Sequence, residues 1–255
     1  MNSLKLIYEN GKSLLILYLL AGLGCYYCWD TQYLLWSSIG YILFGVIGLE
    51  IAHHRYYCHS SFVAKNKFVE WFLYVCSIFA ACGGPVYYSG LHRTHHKTAD
   101  TELDPHRPFD QPILSFLHCN NRSRSEIDWR IVKDLTCREE LMFLVEYHHW
   151  IYFGTLFVTA LISVKFALFF FVLPAILALT VAGLINTVNH MWGYRNFETN
   201  DRSRNNAFVN MLGFGVGLHN NHHHNSRRYT TRVKWHEIDI SGLAIKYIFA
   251  KEVYE

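Results

Sequence analysis

Charge is scarce in this 255-residue chain: Asp, Glu, Lys and Arg make up 17% of it, against about 25% in an ordinary soluble domain. Proline is nearly missing, at five residues, while 7 Trp, 17 Tyr and 18 Phe stand where a disordered chain has few aromatics, so disordered and collagen-like classes are excluded. No long basic or acidic run occurs and the net charge is +3, which leaves neither a nucleic-acid footprint nor an acidic tail. The seven cysteines are an odd number and lack the doubled C-x-x-C of a zinc ribbon. They read as reduced structural thiols, and the close pair Cys25 and Cys28 lies inside an apolar run, where sulfur packs. No internal repeat or low-complexity segment is evident, and no second soluble domain fits.

What the chain has instead is apolar length. Hydrophobic residues make up 51%, in runs at about 13–29, 33–52, 68–88, 150–164 and 166–189. A bilayer-spanning helix takes about 20 mostly apolar residues, with about 17 as the lower limit. Four runs are assigned as spans: 13–29, 33–52, 150–164 and 166–189. The run at 68–88 contains Cys82-Gly83-Gly84-Pro85, which interrupts a helix, and has charge on both sides, so it is placed as a helix in or on the membrane surface. All but one of the 23 basic residues lie in the N-terminal stub, between His53 and His149, or beyond Asn189; the exception is Lys165, in the turn between the last two spans. By the positive-inside rule those three segments are cytoplasmic. The expected fold is therefore an all-α integral membrane protein, a single domain over residues 1–255. Its four transmembrane helices form two hairpins beneath a cytosolic histidine-rich cap, with both termini cytoplasmic. The first run is read as an uncleaved span, because removal of a leader ending near Cys25 would destroy the first hairpin.

Sixteen histidines are the unusual number. They fall as His54 and His59, then His92, His95 and His96, then His190, then His219, His222 and His223, all close to the expected cytoplasmic ends of apolar runs. Neutral imidazole suits iron, copper, nickel and zinc, and spacings of three or four on a helix put two rings on one face. H-x-x-H-H is read as offering one ring to each of two neighbouring ions, and nine histidines exceed what one ion needs. His53, His106, His118, His148, His149, His224 and His236 are read as ordinary interfacial polar residues. Asn186, four before His190, shares its helical face and can hold a metal-bound water or orient the ring; helix capping or an interhelical contact is its plainer role.

With these motifs on the page, the chain resembles the membrane fatty-acid desaturases, in the branch of stearoyl-CoA and bacterial or cyanobacterial delta-9 acyl desaturases. The resemblance runs through His54-Arg-Tyr-Tyr-Cys-His59, Gly83-Gly84-Pro85 leading to His92-Arg-Thr-His95-His96, Asp100 to His106, Asn186 to His190, Ser203-Arg204-Asn205-Asn206, His219 to His223 and Trp235 to Asp239. It implies a mushroom-like four-helix stem with a cytosolic cap. It also implies a diiron centre held by His54, His59, His92, His95, His96, His190, His219, His222 and His223, with Asn186 positioning a water on one iron. Two departures stand out. The family's Gly-Glu-Gly is Gly215-Val216-Gly217 here, and Glu50 sits where the family has threonine, one turn before His54. A carboxylate inside a membrane helix is costly, so Glu50 is assigned a functional contact, accepting a hydrogen bond from His54 or a nearby ligand in place of the lost glutamate; the alternative is that it snorkels to the interface. The residues after His223 also differ, reading His224-Asn-Ser-Arg where a proline-containing turn is usual, which bears on headgroup recognition.

The expected activity is oxygen-dependent introduction of a cis double bond, at delta-9, into a saturated acyl chain. An unactivated C–H bond is hardly acidic, so redox metal chemistry with O2 is required and a Ser-His-Asp or Cys-His nucleophile is not. An apolar tunnel among the spans is expected to fix which carbons react. The acyl group is carried on CoA, a membrane lipid or acyl carrier protein. Electrons come from an external donor of the ferredoxin or cytochrome b5 type, which Arg202, Arg204, Arg227 and Arg228 can attract, as they can an anionic headgroup. The bacterial plasma membrane and the endoplasmic reticulum both fit. Two other readings remain open: a diiron membrane lipid hydroxylase, and a non-catalytic metal-binding membrane protein, which as a transporter would place polar groups at mid-span.

Overall fold

The computed structural model describes residues 12–106, 111–118 and 128–255. The N-terminal stub expected on the cytoplasmic side lies outside the described residues up to Gly11. Helix α1, Lys12–Cys28, is followed by α2, Thr31–Cys58, which starts where Asp30 accepts a hydrogen bond from the Gln32 N–H. A second long pair follows later, α7 at Glu139–Ile162 and α8 at Val164–Met191. Among the described residues α2 and α8 are long and apolar enough to cross a membrane. Helix α1 is only 17 residues long, and α7 is diluted by Glu139, Glu140, Glu146, His148 and His149. The turn between α7 and α8 falls at Ser163, whose hydroxyl caps α8 by accepting from the Phe166 N–H. Across the two turns Lys165 Nζ reaches Asp30 Oδ2 at 2.7 Å, so the tight ends of both pairs meet.

Helices α2 and α8 approach closely because small residues line their contact. A Cβ on Gly40 would sit 2.3 Å from the Phe170 carbonyl oxygen, and Gly45 faces Ala178. Ser37 Oγ donates to the Phe169 carbonyl at 2.7 Å, and Phe44 stacks on Phe171. The second part of α2, Tyr41–Cys58, is π-wound, with i→i+5 hydrogen bonding that extends to the His59 N–H and the His54 carbonyl.

The apolar run at 68–88 is two helices rather than one. Helix α3, Lys67–Ile78, is capped by Asn66, and α4, Pro85–Thr98, starts at a proline suited to the first helical position. Between them Gly83 takes φ +81°, which a side chain would resist. The break turns the chain so that α4 carries His92, His95 and His96 inward, while α3 keeps Phe68 and Trp71 exposed. Among the described residues the other helical segments are α5 (Pro112–Phe116), a 3-10 turn at Trp129–Val132, α6 (Lys133–Thr136), α9 (Ala207–Gly213), α10 (His219–His224) and α11 (Ile240–Phe249).

The chain is mostly helical, but not wholly so. Strands β1, Phe62–Ala64, and β2, Ala250–Val253, pair antiparallel with Phe62 opposite Val253 and a bulge after Val63. This clips the C-terminal segment to the residues just beyond α2. The largest core cluster, which includes Ile51, Tyr57, Leu73, Val86, Leu144 and Ile245, binds α2, α3, α4, α7 and α11 into one body.

Gly48 tests the packing of α3 on α2, since its Cβ would meet the Cys76 carbonyl oxygen at 2.4 Å. Gly48→Val should lower the thermal unfolding midpoint in detergent, with a cost of about 1–3 kcal/mol. Gly154→Ala, which has open space around it, should not lower it.

Candidate metal centre

Four elements bring nine imidazoles together. His54 lies in the last turns of α2 and His59 just beyond it, α4 carries His92, His95 and His96, α8 carries His190 in its last turn, and α10 carries His219, His222 and His223. Two groups result, each with ligand atoms within 4.8 Å of one another: His54, His59, His92, His96 and His222, and His95, His190, His219 and His223. Helical geometry divides the two H-x-x-H-H runs. Positions four apart, His92 with His96 and His219 with His223, share a face, and the ring between them turns to the other group.

The supports come from neighbouring segments. Arg93 donates to the Cys58 and Tyr57 carbonyls at 2.8 and 3.0 Å and makes a two-pronged pair with Asp134, locking α4 onto the end of α2. An asparagine lattice holds α10: Asn205 accepts from the N–H groups of Asn220 and Asn221 and donates to the Asn221 side chain, while Asn189 donates to the Arg204 and Gly217 carbonyls.

Behind the rings lie carboxylates. The Nδ1 atoms of His54, His95 and His223 lie 2.7, 2.9 and 2.8 Å from Glu50, Asp104 and Asp201, and His190 Nδ1 lies 3.1 Å from both oxygens of Asp100. A carboxylate only accepts, so in each neutral ring Nδ1 carries the hydrogen and Nε2 presents a lone pair to the interior. The interior nitrogens crowd together: His54 and His222 Nε2 are 3.0 Å apart, His222 and His96 2.9 Å, His92 and His96 3.1 Å, and His190 and His219 3.1 Å. His59, His95 and His223 each bury an Nε2 with no hydrogen-bond partner. One proton cannot satisfy so many converging lone pairs, whereas a cation can. Ligand nitrogens about 2.1 Å from an ion and at right angles to each other would themselves sit about 3.0 Å apart. The donor set therefore fits metal ions, one per group.

Electrostatics keeps five of the rings neutral. Burial, and then repulsion from neighbouring rings, hold His92, His96, His219, His222 and His223 well below the usual 6.5. Burial would raise Asp100, Asp104 and Asp201, but His190, His95 and the Ser203 hydrogen bonds respectively outweigh it, and all three carboxyls lie below the usual 3.8.

A cavity of about 350 Å³ opens beside the rings. Its walls include apolar Leu17, Val46, Leu49, Leu179, Val181 and Ile185, and also His54 and His92 from one group and His219 from the other. Asn186 and Glu50 line it too. The arrangement can place an apolar chain against both groups of rings at once.

The family model described as "Fatty acid desaturase" matches residues 29–240. This chain belongs to the fatty acid desaturase family. It is 30% identical over 227 residues to the sn-1 stearoyl-lipid 9-desaturase of Anabaena variabilis, covering 84% of this chain and 81% of that protein. The Delta-9 acyl-lipid desaturase 2 of Arabidopsis thaliana is 30% identical over 87% of this chain and 73% of its own length, and the Acyl-CoA C20 Delta5-desaturase of Anemone leveillei is 33% identical over 82% and 68%.

In this desaturase Glu50 is buried, with one oxygen at His54 and the other accepting from Arg55 Nε at 2.7 Å. Val216 packs on Val181, Ile185 and Val209 and also lines the cavity. His53 bonds the Ser77 carbonyl, His118 the Leu179 carbonyl, and His224 stacks on Phe197. His106, His118 and His149 line the cavity, and His106 packs against His95. Six cysteines are described, all unpaired. The sequence reading missed the roles of Asp100, Asp104 and Asp201, and of Arg55, whose guanidinium joins Glu50 to Asp239. Asp100 and Asp104, a carboxylate pair at the end of the second histidine run, carried a usable signal; Asp201, alone in a polar loop, carried none.

The metal-free protein should lose stability as pH falls. Unfolded histidines bind protons near 6.5 while the buried rings do not, so below that pH protons favour unfolding; the stability held by the three aspartates is lost lower, as pH drops through their depressed values. Thermal melts at pH 7.5 and 5.5 should show the lower midpoint at 5.5, and an equal or higher one there would refute this account.

Proposed function

We propose that this protein is a membrane-embedded fatty acyl desaturase that forms a cis double bond at delta-9 of a saturated chain. The observation that carries this reading is the apolar cavity that reaches rings of both histidine groups. One iron would be held by His54, His59, His92, His96 and His222, the other by His95, His190, His219 and His223. When bound, the iron pair would let O2 act as the oxidant that removes two hydrogens from unactivated methylenes, with two external electrons and two protons as co-reactants and two waters as the other product.

The protein's own part is positioning and exclusion. The walls from α1, α2 and α8 keep water from the chain and fix which methylenes face the rings. Asn186, on the cavity wall and one turn before His190, would hold a water or orient that ring. Glu50, Asp100, Asp104 and Asp201 hold the proton on Nδ1 and so turn each ring's Nε2 inward. Helices α1, α2, α7 and α8 would cross the bilayer as two hairpins; the Asp30–Lys165 pair at their tight turns, opposite the histidine-bearing ends, supports this arrangement. The histidine side and the termini would then be cytoplasmic, in a plasma or endoplasmic-reticulum membrane. Ferredoxin or cytochrome b5 would be the donor, and acyl-CoA, acyl-lipid or acyl carrier protein the substrate.

The test is a fatty-acid methyl ester profile of cells expressing the chain beside a His95→Ala control. A new monoene should appear only with the intact protein, and its bond position reads out directly. A hydroxylated product, or no product from metal-loaded protein with a competent donor, would overturn the reading. Ala182→Phe, which adds bulk to the cavity wall, should cut monoene yield on the order of 10- to 100-fold while metal content stays the same.

A further inference from the structure

The geometry points to two unequal metal sites, a reading that rests on the metal-centre assignment above. The four-ring group takes the first ion and holds it the tighter, and the five-ring group fills second.

The asymmetry lies behind the rings. Three of the four imidazoles in the smaller group present Nδ1 to a carboxylate: His95 to Asp104, His190 to Asp100 and His223 to Asp201. In the larger group only His54 does, to Glu50, among the described residues. A carboxylate behind a ligating imidazole fixes its orientation and strengthens it as a donor, and losing one typically costs roughly 10- to 100-fold in metal affinity.

Charge widens the difference. Asp100 is steadied by the Arg202 backbone N–H, Asp104 by the N–H groups of Asp100 and His106, and Asp201 by the Ser203 N–H and the Thr199 hydroxyl. Among the described residues no Lys or Arg side chain pairs with any of the three, so their negative charge stays directed at the rings. Glu50 instead shares its charge with buried Arg55, whose guanidinium also reaches Asp239 at 3.0 Å. The fifth imidazole of the larger group adds a neutral donor, not the negative charge that a divalent cation most needs once it leaves water.

The test is titration of metal-free full-length protein in detergent with Co2+, followed by calorimetry and by the visible absorption of bound cobalt. The unaltered protein should take up two ions in two resolved steps. Asp201→Asn should weaken the first step roughly 10- to 100-fold and leave the second unchanged, while Glu50→Gln should weaken only the second. Asp201→Glu should restore the first step. Asp100→Asn provides an independent variant of the first site, and a thermal melt of each variant shows that it is folded. Two indistinguishable steps, or a second step weakened by Asp201→Asn with the first intact, would overturn the inequality and leave the metal centre standing. Fewer than two ions bound by the folded unaltered protein would overturn the metal-centre reading, and this inference with it.

Discussion

Nine imidazoles crowded into one buried region have to stay uncharged and correctly turned, and much of the remaining structure serves that condition. At His59, His92, His96, His219, His222 and His223, burial and then repulsion from charged neighbours disfavour the protonated form. Orientation comes from outside the cluster. Carboxylates fix four of the tautomers, the asparagine lattice fixes the backbone of α10, and Arg93 fixes α4 against the end of α2. The π winding of α2 belongs to the same scheme. With i→i+5 bonding, positions four and five apart fall near one line, so Glu50 meets both His54 and Arg55.

Those demands explain what could be read from sequence and what could not. The histidine runs were legible because helical periodicity makes H-x-x-H-H a local statement: His92, His95 and His96 are sorted within one helix. The partition between groups was not legible, because His222 joins His54 across 168 positions and no spacing encodes that meeting. Glu50 drew notice through the cost of a charge within an apolar helix, yet Arg55 and Asp239, which share that charge, looked like ordinary polar residues. The apolar run at 68–88 carried its own break in sequence. Gly83 and Pro85 divide it, as the glycine-proline interruption implied, but composition gave no sign that the helix after the break, α4, turns its histidines into the site.

The cavity joins the two halves of the molecule. Small residues let α2 and α8 come close near Gly40 and Gly45, and the same pair of helices carries rings of both groups at its other end. Stem and site are therefore one construction: whatever sets the spacing of the long helices also sets how an apolar chain lies against the imidazoles. Val216 continues that surface on the wall beside α8.

The contact between His54 and His222 also orders events in time. A chain is made from its N-terminus, so α2 is synthesised, and can be inserted, long before α10 exists. His54 is made 168 residues before His222, and the five-ring group can close only after residue 222 has emerged. Assembly of the centre thus follows synthesis of α10, and a complete set of ligands is offered to metal only once His223 has left the ribosome.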